Sequence, residues 1–205
     1  YNEILEHCLQ VSQVMPIMGF YLQPSVGGRV LEYDFWRQFC EIENVIAIKV
    51  APFNRYYSLE VVRALYESGR VDDIALYTGN DDNIISDLFS MYKFSQDEKS
   101  TSLRFYGGLL GHWAVWTNKV VEIFNEIKTL RSQQQYPREM QILASQITDC
   151  NAAFFDAKND FDGCIIGINE VLRRQGLLRS NVTLNPNEVL TAGQNAELDR
   201  VYRMY

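Results

Sequence analysis

At 205 residues, 47% hydrophobic, with five prolines and no low-complexity tract, the chain is long enough to bury one sizeable core. No apolar stretch approaches the roughly 20 residues that a membrane-crossing helix needs, and the first residues show no basic segment or cleavage site, so insertion and secretion are not expected. A net charge of -7 and a pI near 4.9, with no cluster of lysine or arginine, repel a phosphate backbone and argue against nucleic acid as a partner.

The chain opens at Tyr1, without an initiator methionine, and enters at once an amphipathic helix over Asn2 to Val14; a preceding segment is expected. Pro16 to Leu22 reads as a strand and Pro24 to Gly28 as the loop that leaves it. A helix carrying Phe35, Trp36, Phe39, Cys40 and Ile42 at three-and-four spacing follows. Next come the strand Asn44 to Lys49 and a helix bearing Leu59, Val62, Leu65 and Tyr66 that stops at Gly69. The third strand is Asp73 to Thr78, with Gly79-Asn80-Asp81-Asp82 as its loop and a helix on Ile84, Ile85, Leu88, Phe89 and Tyr92. Ser95 to Ser102 reads as a polar insertion, and Leu103 to Val115 as a fourth, glycine-broken strand. Thr117 or Asn118 is placed to cap a helix with Val120, Val121, Phe124, Ile127 and Leu130.

After Pro137 the pattern becomes helical throughout. One helix carries Met140, Leu143, Ala144 and Ile147; a second, capped by Asp160, carries Cys164, Ile165, Ile168 and Leu172; a third covers about Ala192 to Met204. Four strands alternating with helical segments imply right-handed βαβ units and a parallel sheet. That sheet is either open and doubly wound or part of a barrel. A complete (β/α)8 barrel needs eight strands and typically about 250 residues, so a barrel here means its second half.

Lys49 carries the strongest chemical signal. It closes an apolar strand whose alternating side chains are apolar on both faces, as in a parallel sheet covered by helices. The carboxyl ends of such strands are where these folds place their active sites. Tyr21 closes another strand-like run 28 residues earlier. Taken singly, a lysine at a strand end is a solvated terminus and a tyrosine a core ring with its hydroxyl at the rim.

Four segments occur in a telling order: Phe20-Tyr21-Leu22-Gln23-Pro24-Ser25-Val26-Gly27-Gly28, Ile46-Ala47-Ile48-Lys49, Thr78-Gly79-Asn80-Asp81-Asp82 and Gly107-Gly108-Leu109-Leu110-Gly111. They resemble the dihydrodipicolinate synthase and N-acetylneuraminate lyase family of Schiff-base aldolases, over nearly the whole chain. The family pattern is Tyr-x-x-Pro-Ser/Thr-x-x-Gly after strand five, a Gly-Ile-Lys strand, Gly-Asp/Asn-Asp after strand seven and a glycine-rich strand eight. The resemblance implies the carboxyl-terminal half (strands 5 to 8) of a TIM (β/α)8 barrel plus C-terminal helices, with residues 1–136 as half-barrel and 137–205 as a helical appendage.

It further implies a lyase or class I aldolase in which Lys49 attacks a 2-oxo acid such as pyruvate to form an imine and Tyr21 relays protons. Gly79 matches the position where bare backbone approaches the substrate, Ser25 supplies a hydroxyl or amide to the keto-acid carboxylate, and Gly111 and Trp113 shape the pocket. No cofactor or metal is required on this view. The implied partners are a 2-oxo acid and an aldehyde, the missing amino-terminal half-barrel, and further copies of the chain in a homo-oligomer.

Several positions depart from the pattern. Val26 stands where dihydrodipicolinate synthases carry the arginine that receives the aldehyde substrate's carboxylate, and Arg29 is three positions off. Val50-Ala51-Pro52-Phe53 replaces the usual Glu/Asp-Ser/Ala-Ser/Thr-Gly, and Gly111-His112-Trp113-Ala114 replaces Gly-Val-Ile-Ser. The threonine pair and Gly-x-x-Gly-Glu segment of the family's first half are not in this chain. These departures keep a second possibility open, a non-catalytic member that binds a keto acid or sugar acid or regulates an assembly.

Other groups are read as structural. His112 has only the distant His7 as a companion, Asp81 and Asp82 are read as helix caps, and Gly107, Gly108 and Gly111 are too weak a signal for phosphate. Cys8, Cys40, Cys150 and Cys164 lack a CxxC pair and read as reduced thiols of a cytoplasmic protein. Tyr56 and Tyr57 could line either a pocket or an oligomer contact.

Overall fold

The computed structural model describes every residue except 97, 98, 109–111 and 134, and every side chain but those and 96, 99 and 112. The chain forms two compact units, Tyr1–Asn80 with Asp87–Leu109, and Asp81–Ser86 with Leu110–Tyr205.

The first unit is built on strands β1 (Ile17–Leu22), β2 (Val45–Ala51), β3 (Ala75–Thr78) and β6 (Phe105–Gly108), all parallel and adjacent in that order. Helices α1 (Asn2–Ser12), α2 (Tyr33–Phe39) and α3 (Arg55–Ser68) belong to the same unit. Every new strand is added on the same side of the last. With right-handed crossovers, that order puts all the connecting helices on one face. A doubly wound sheet reverses direction and carries helices on both faces, so the arrangement here is that of a barrel segment.

Side-chain burial follows this division. Tyr21, Ile48, Val50, Leu76, Thr78 and Phe105 alternate onto one face and are fully buried. Gly19 lies on that face so tightly that a Cβ would stand 2.7 Å from the Phe39 ring of α2. On the other face Met18 is 39% and Phe20 48% exposed.

The polar insertion expected from Ser95 to Ser102 contributes its described residues to two paired antiparallel strands, β4 (Tyr92–Gln96) and β5 (Lys99–Leu103). Period-two alternation explains it: Tyr92 and Phe94 share one side, where Phe94 stacks on Tyr66 of α3 at 4.7 Å and Tyr92 meets the edge of Phe105. Leu103 is therefore consumed by β5, and the fourth parallel strand runs only from Phe105 to Gly108.

Helices dominate the second unit: α5 (Thr117–Leu130), α6 (Glu139–Phe154), α7 (Cys164–Arg174) and α8 (Gln194–Met204). Its core joins Val115, Phe154, Phe155, Val171, Leu198 and Val201, with the Phe154 and Phe155 rings 4.4 Å apart. Gly167 lets α7 approach α6, since a Cβ there would lie 2.0 Å from the Phe154 carbonyl oxygen.

Two expected side-chain caps do not form. Asp160 is left-handed (φ 51), whereas an N-cap needs extended backbone; instead Asp156 accepts from the Gly163 N–H at 3.1 Å, beside the start of α7. Before α5, Trp116 occupies the cap with φ 47, and the Thr117 hydroxyl donates to the Trp113 carbonyl. Among the described residues no helix is long and apolar enough to cross a membrane, and all four cysteines are free thiols.

Candidate functional site

Lys49 is the third residue from the end of β2 and its only polar side chain, before the chain turns at Pro52. Its register partners are Phe20 on β1 and Tyr77 on β3, so it stands on the face opposite α2 and α3, near the carboxyl end of the sheet. It is half-buried, and its Nζ lies 4.1 Å from the centroid of the Phe20 ring. A cation held over an aromatic face is attracted by the ring quadrupole. Nothing in the pattern of apolar residues singles out Phe20; only the register brings it to the ammonium.

Gly79 follows β3 directly and reaches the lysine with its backbone. Its N–H donates to the Val50 carbonyl at 2.7 Å. A Cβ on Gly79 would stand 2.9 Å from Lys49 Cε and 2.5 Å from the Ala51 Cβ. The glycine is needed here for space, since no φ value demands it.

Tyr21 is not brought to Lys49. It pairs with Val50, one position beyond the Phe20–Lys49 pair, and successive residues of a strand face opposite ways. Its ring is buried against Trp36 at 5.1 Å and Tyr57 at 6.3 Å, and its hydroxyl accepts from the Leu31 N–H at 3.2 Å. Burial raises its phenol above the ordinary range against the lowering effect of that hydrogen bond, with Tyr57 and Glu60 adding to the rise. Tyr57 is thus a neighbour of Tyr21, whereas Tyr56 is exposed.

Ser25 sits exposed in the 3₁₀ turn Pro24–Val26 that leaves β1. The turn folds back closely enough that a Cβ on Gly28 would lie 2.0 Å from the Leu22 carbonyl oxygen, and Gly27 is left-handed at φ 90. Trp113 belongs to the second unit, where its ring packs on Phe124 at 5.4 Å. Gly111 lies outside the described residues.

Behind the Lys49 strand lies a buried polar cluster that sequence reasoning missed. Asp87 on α4 (Ile84–Phe89) accepts from the Thr78 hydroxyl at 2.6 Å and from the Asn80 amide at 2.9 Å, and pairs with Arg55. The Asn80 side chain also accepts from the Phe53 N–H at 3.0 Å and donates to the Ser58 hydroxyl at 3.3 Å. Phe53 is left-handed (φ 51), a conformation that a bulky residue rarely adopts. A polar residue seven positions after Asn80, on an otherwise apolar helix face, was the available signal.

The fold and this site define an α/β protein of the barrel-segment type, with a lysine at the carboxyl end of a central parallel strand. Among solved structures, the chain is similar to dihydrodipicolinate synthase from the commensal bacterium Bacteroides thetaiotaomicron, with a TM-score of 0.70 and 14% sequence identity. The match covers 100% of this chain and 61% of that one, so the chain spans less than two thirds of that protein's length. No family model and no curated protein sequence matches the chain. At that identity the likeness shows a shared fold.

Proposed function

We propose that the chain is the carboxyl-terminal half, strands five to eight with the C-terminal helices, of a barrel of the dihydrodipicolinate synthase and N-acetylneuraminate lyase type. In this reading residues 1–136 are the half-barrel, residues 137–205 the helical appendage, and an amino-terminal half supplies the remaining strands over Met18 and Phe20. Lys49 is the nucleophile of a class I aldolase or lyase. The observation that carries the reading is the lysine on the face opposite α2 and α3, with bare backbone at Gly79 against its stem.

The chemistry follows from the amine. Neutral Lys49 adds to the keto carbon of a 2-oxo acid such as pyruvate, and the carbonyl oxygen takes a proton to give a carbinolamine. A second proton lets that oxygen leave as water, the nitrogen having given up its own, and an imine remains. Protonated at nitrogen, the imine draws electrons from the adjacent carbon, which loses a proton and becomes the nucleophile towards an aldehyde. Ser25 offers a polar contact to the keto-acid carboxylate. The resemblance gives the proton relay to Tyr21; from its present position the phenol would have to leave the Leu31 N–H and turn past the end of β1. The free thiols suit a cytoplasmic setting.

The test is borohydride trapping. The protein is incubated with pyruvate and reduced, and the modified peptide is mapped by mass spectrometry with Lys49→Ala as control. A pyruvate-derived adduct on Lys49, lost in the variant, is the expected result. Absence of the adduct both in this chain and in the chain joined to an amino-terminal half-barrel sinks the imine reading in favour of a non-catalytic binding member.

A further inference from the structure

The buried cluster around Asn80 has more connections than anchoring one loop requires. Asn80 is 0% and Asp87 1% exposed, and burying an amide and a carboxylate is unfavourable unless their hydrogen bonds are met. Those bonds run to four places. Asn80 Oδ1 holds the Phe53 N–H in the turn after β2, its Nδ2 reaches Ser58 on α3 and Asp87 on α4, and its own N–H donates to the Thr78 hydroxyl at 3.2 Å at the end of β3. Arg55 from α3, which is paired with Asp87, and Tyr92 from β4 are among the charged and titratable groups that face it.

Asn80 directly follows the glycine whose backbone abuts the Lys49 stem. The gap is too small for a single methyl group, so any displacement of Asn80 is passed to Lys49 through Gly79 and to the far side of the site through Phe53. We infer that Asn80, braced by Asp87, is a positioning residue for Lys49: it locks the rims of β2 and β3 together and fixes the direction in which the amine projects. This rests on the reading of Lys49 as the reacting group. It touches no substrate and would act only through the two turns it ties.

The experiment compares wild type, Asn80→Ala and Asn80→Asp, all checked for folding by circular dichroism. Two readouts are taken on Lys49: the rate of pyruvate trapping with borohydride, and the rate of acetylation by trace acetic anhydride, mapped by mass spectrometry. Misplacing a reacting group by about 1 Å can reduce rate by up to about 100-fold. Asn80→Ala is therefore expected to slow trapping about 10- to 100-fold while acetylation of the released lysine becomes faster. In Asn80→Asp two carboxylates replace an amide–carboxylate pair 2.9 Å apart, and such a pair retains one proton above the usual carboxylate range. Trapping relative to wild type should then be nearly preserved at acid pH and fall as pH rises, a profile that a purely structural role does not produce.

Folded variants that trap and acetylate at wild-type rates at every pH overturn the inference. Should wild type trap no pyruvate, alone or joined to an amino-terminal half-barrel, the imine reading fails, and acetylation alone decides the positioning role. If Asn80→Ala does not fold, Asp87→Asn, which keeps the shape of the brace and removes its charge, takes its place with the same expected and contrary results.

Discussion

Gly79 and Tyr21 show how a single side chain is read by its surroundings. A methyl group on Gly79 would meet Ala51 and Lys49 well inside normal contact, on strands that cannot move apart without breaking the sheet. Gly79→Ala is expected to lower stability by about 1–3 kcal/mol, the usual range for overpacking, and to reduce trapping at Lys49. Urea denaturation and the borohydride assay check the two parts. Tyr21→Phe leaves the Leu31 N–H without its acceptor and should cost about 1–2 kcal/mol. Because the phenol faces α2, the Lys49 adduct should survive this change; a loss of about 100-fold or more in trapping would instead return the proton relay to Tyr21. Lys49, Tyr21 and Gly79 were all legible as residues of interest. Their faces were not, because one step of register inverts every side chain in a strand.

At the level of elements, the joint between α2, α3 and β2 depends on one arginine. Arg70 follows the left-handed Gly69 that ends α3, and its Nη1 donates to the carbonyls of Cys40 at 2.9 Å and Ile42 at 2.6 Å. Its Nη2 donates to those of Glu43 at 2.8 Å and Val45 at 3.2 Å, and its Nε to Asp73 at 3.3 Å. One planar fork thus satisfies the turn that leads into the Lys49 strand, which an ammonium group cannot reproduce. Arg70→Ala should reduce stability by about 2–4 kcal/mol and Arg70→Lys should recover only part of it, as read from urea midpoints. The helix stops at Gly69 and near Gly176 could be read in advance, since glycine is what a left-handed C-terminus selects. The caps at Asp160 and Thr117 could not, because neighbouring polar residues compete for the same role and tertiary contacts choose between them: Asp156 also accepts from the Thr191 hydroxyl at 2.7 Å, near the start of α8.

Across the whole molecule an excess of acidic groups makes low pH the informative direction. Glu170 in the helical unit is 3% exposed and is held by Arg173 at 2.8 and 2.7 Å, Arg174 at 2.9 Å and Asn181 at 3.0 Å. Hydrogen bonds from Arg173 first, then Arg174, outweigh burial and bring its carboxyl from 4.5 down to about 2. A lowered carboxyl stabilises the fold fully above pH 4.5, and that contribution is lost as pH falls towards 2. Asp149, lowered mainly by its hydrogen bonds from Arg200, acts in the same direction. Stability should therefore decline over that acid range, and Glu170→Gln should be about 2 kcal/mol weaker at neutral pH with a flatter acid limb, measured by urea titration at a series of pH values. The sequence by itself determined the alternation of apolar strands with amphipathic helices, the all-helical last third, the parallel sheet and the lysine at a strand end, because these follow from periodicity and glycine placement along the chain. Tertiary structure decided that the sheet adds strands in one direction, that Phe20 and not Tyr21 covers Lys49, that a polar insertion pairs as a hairpin, and that Asn80 and Asp87 are tied together. The first two are set by register between strands distant in sequence; the hairpin and the Asn80–Asp87 tie join residues close along the chain, and burial among distant partners decides them.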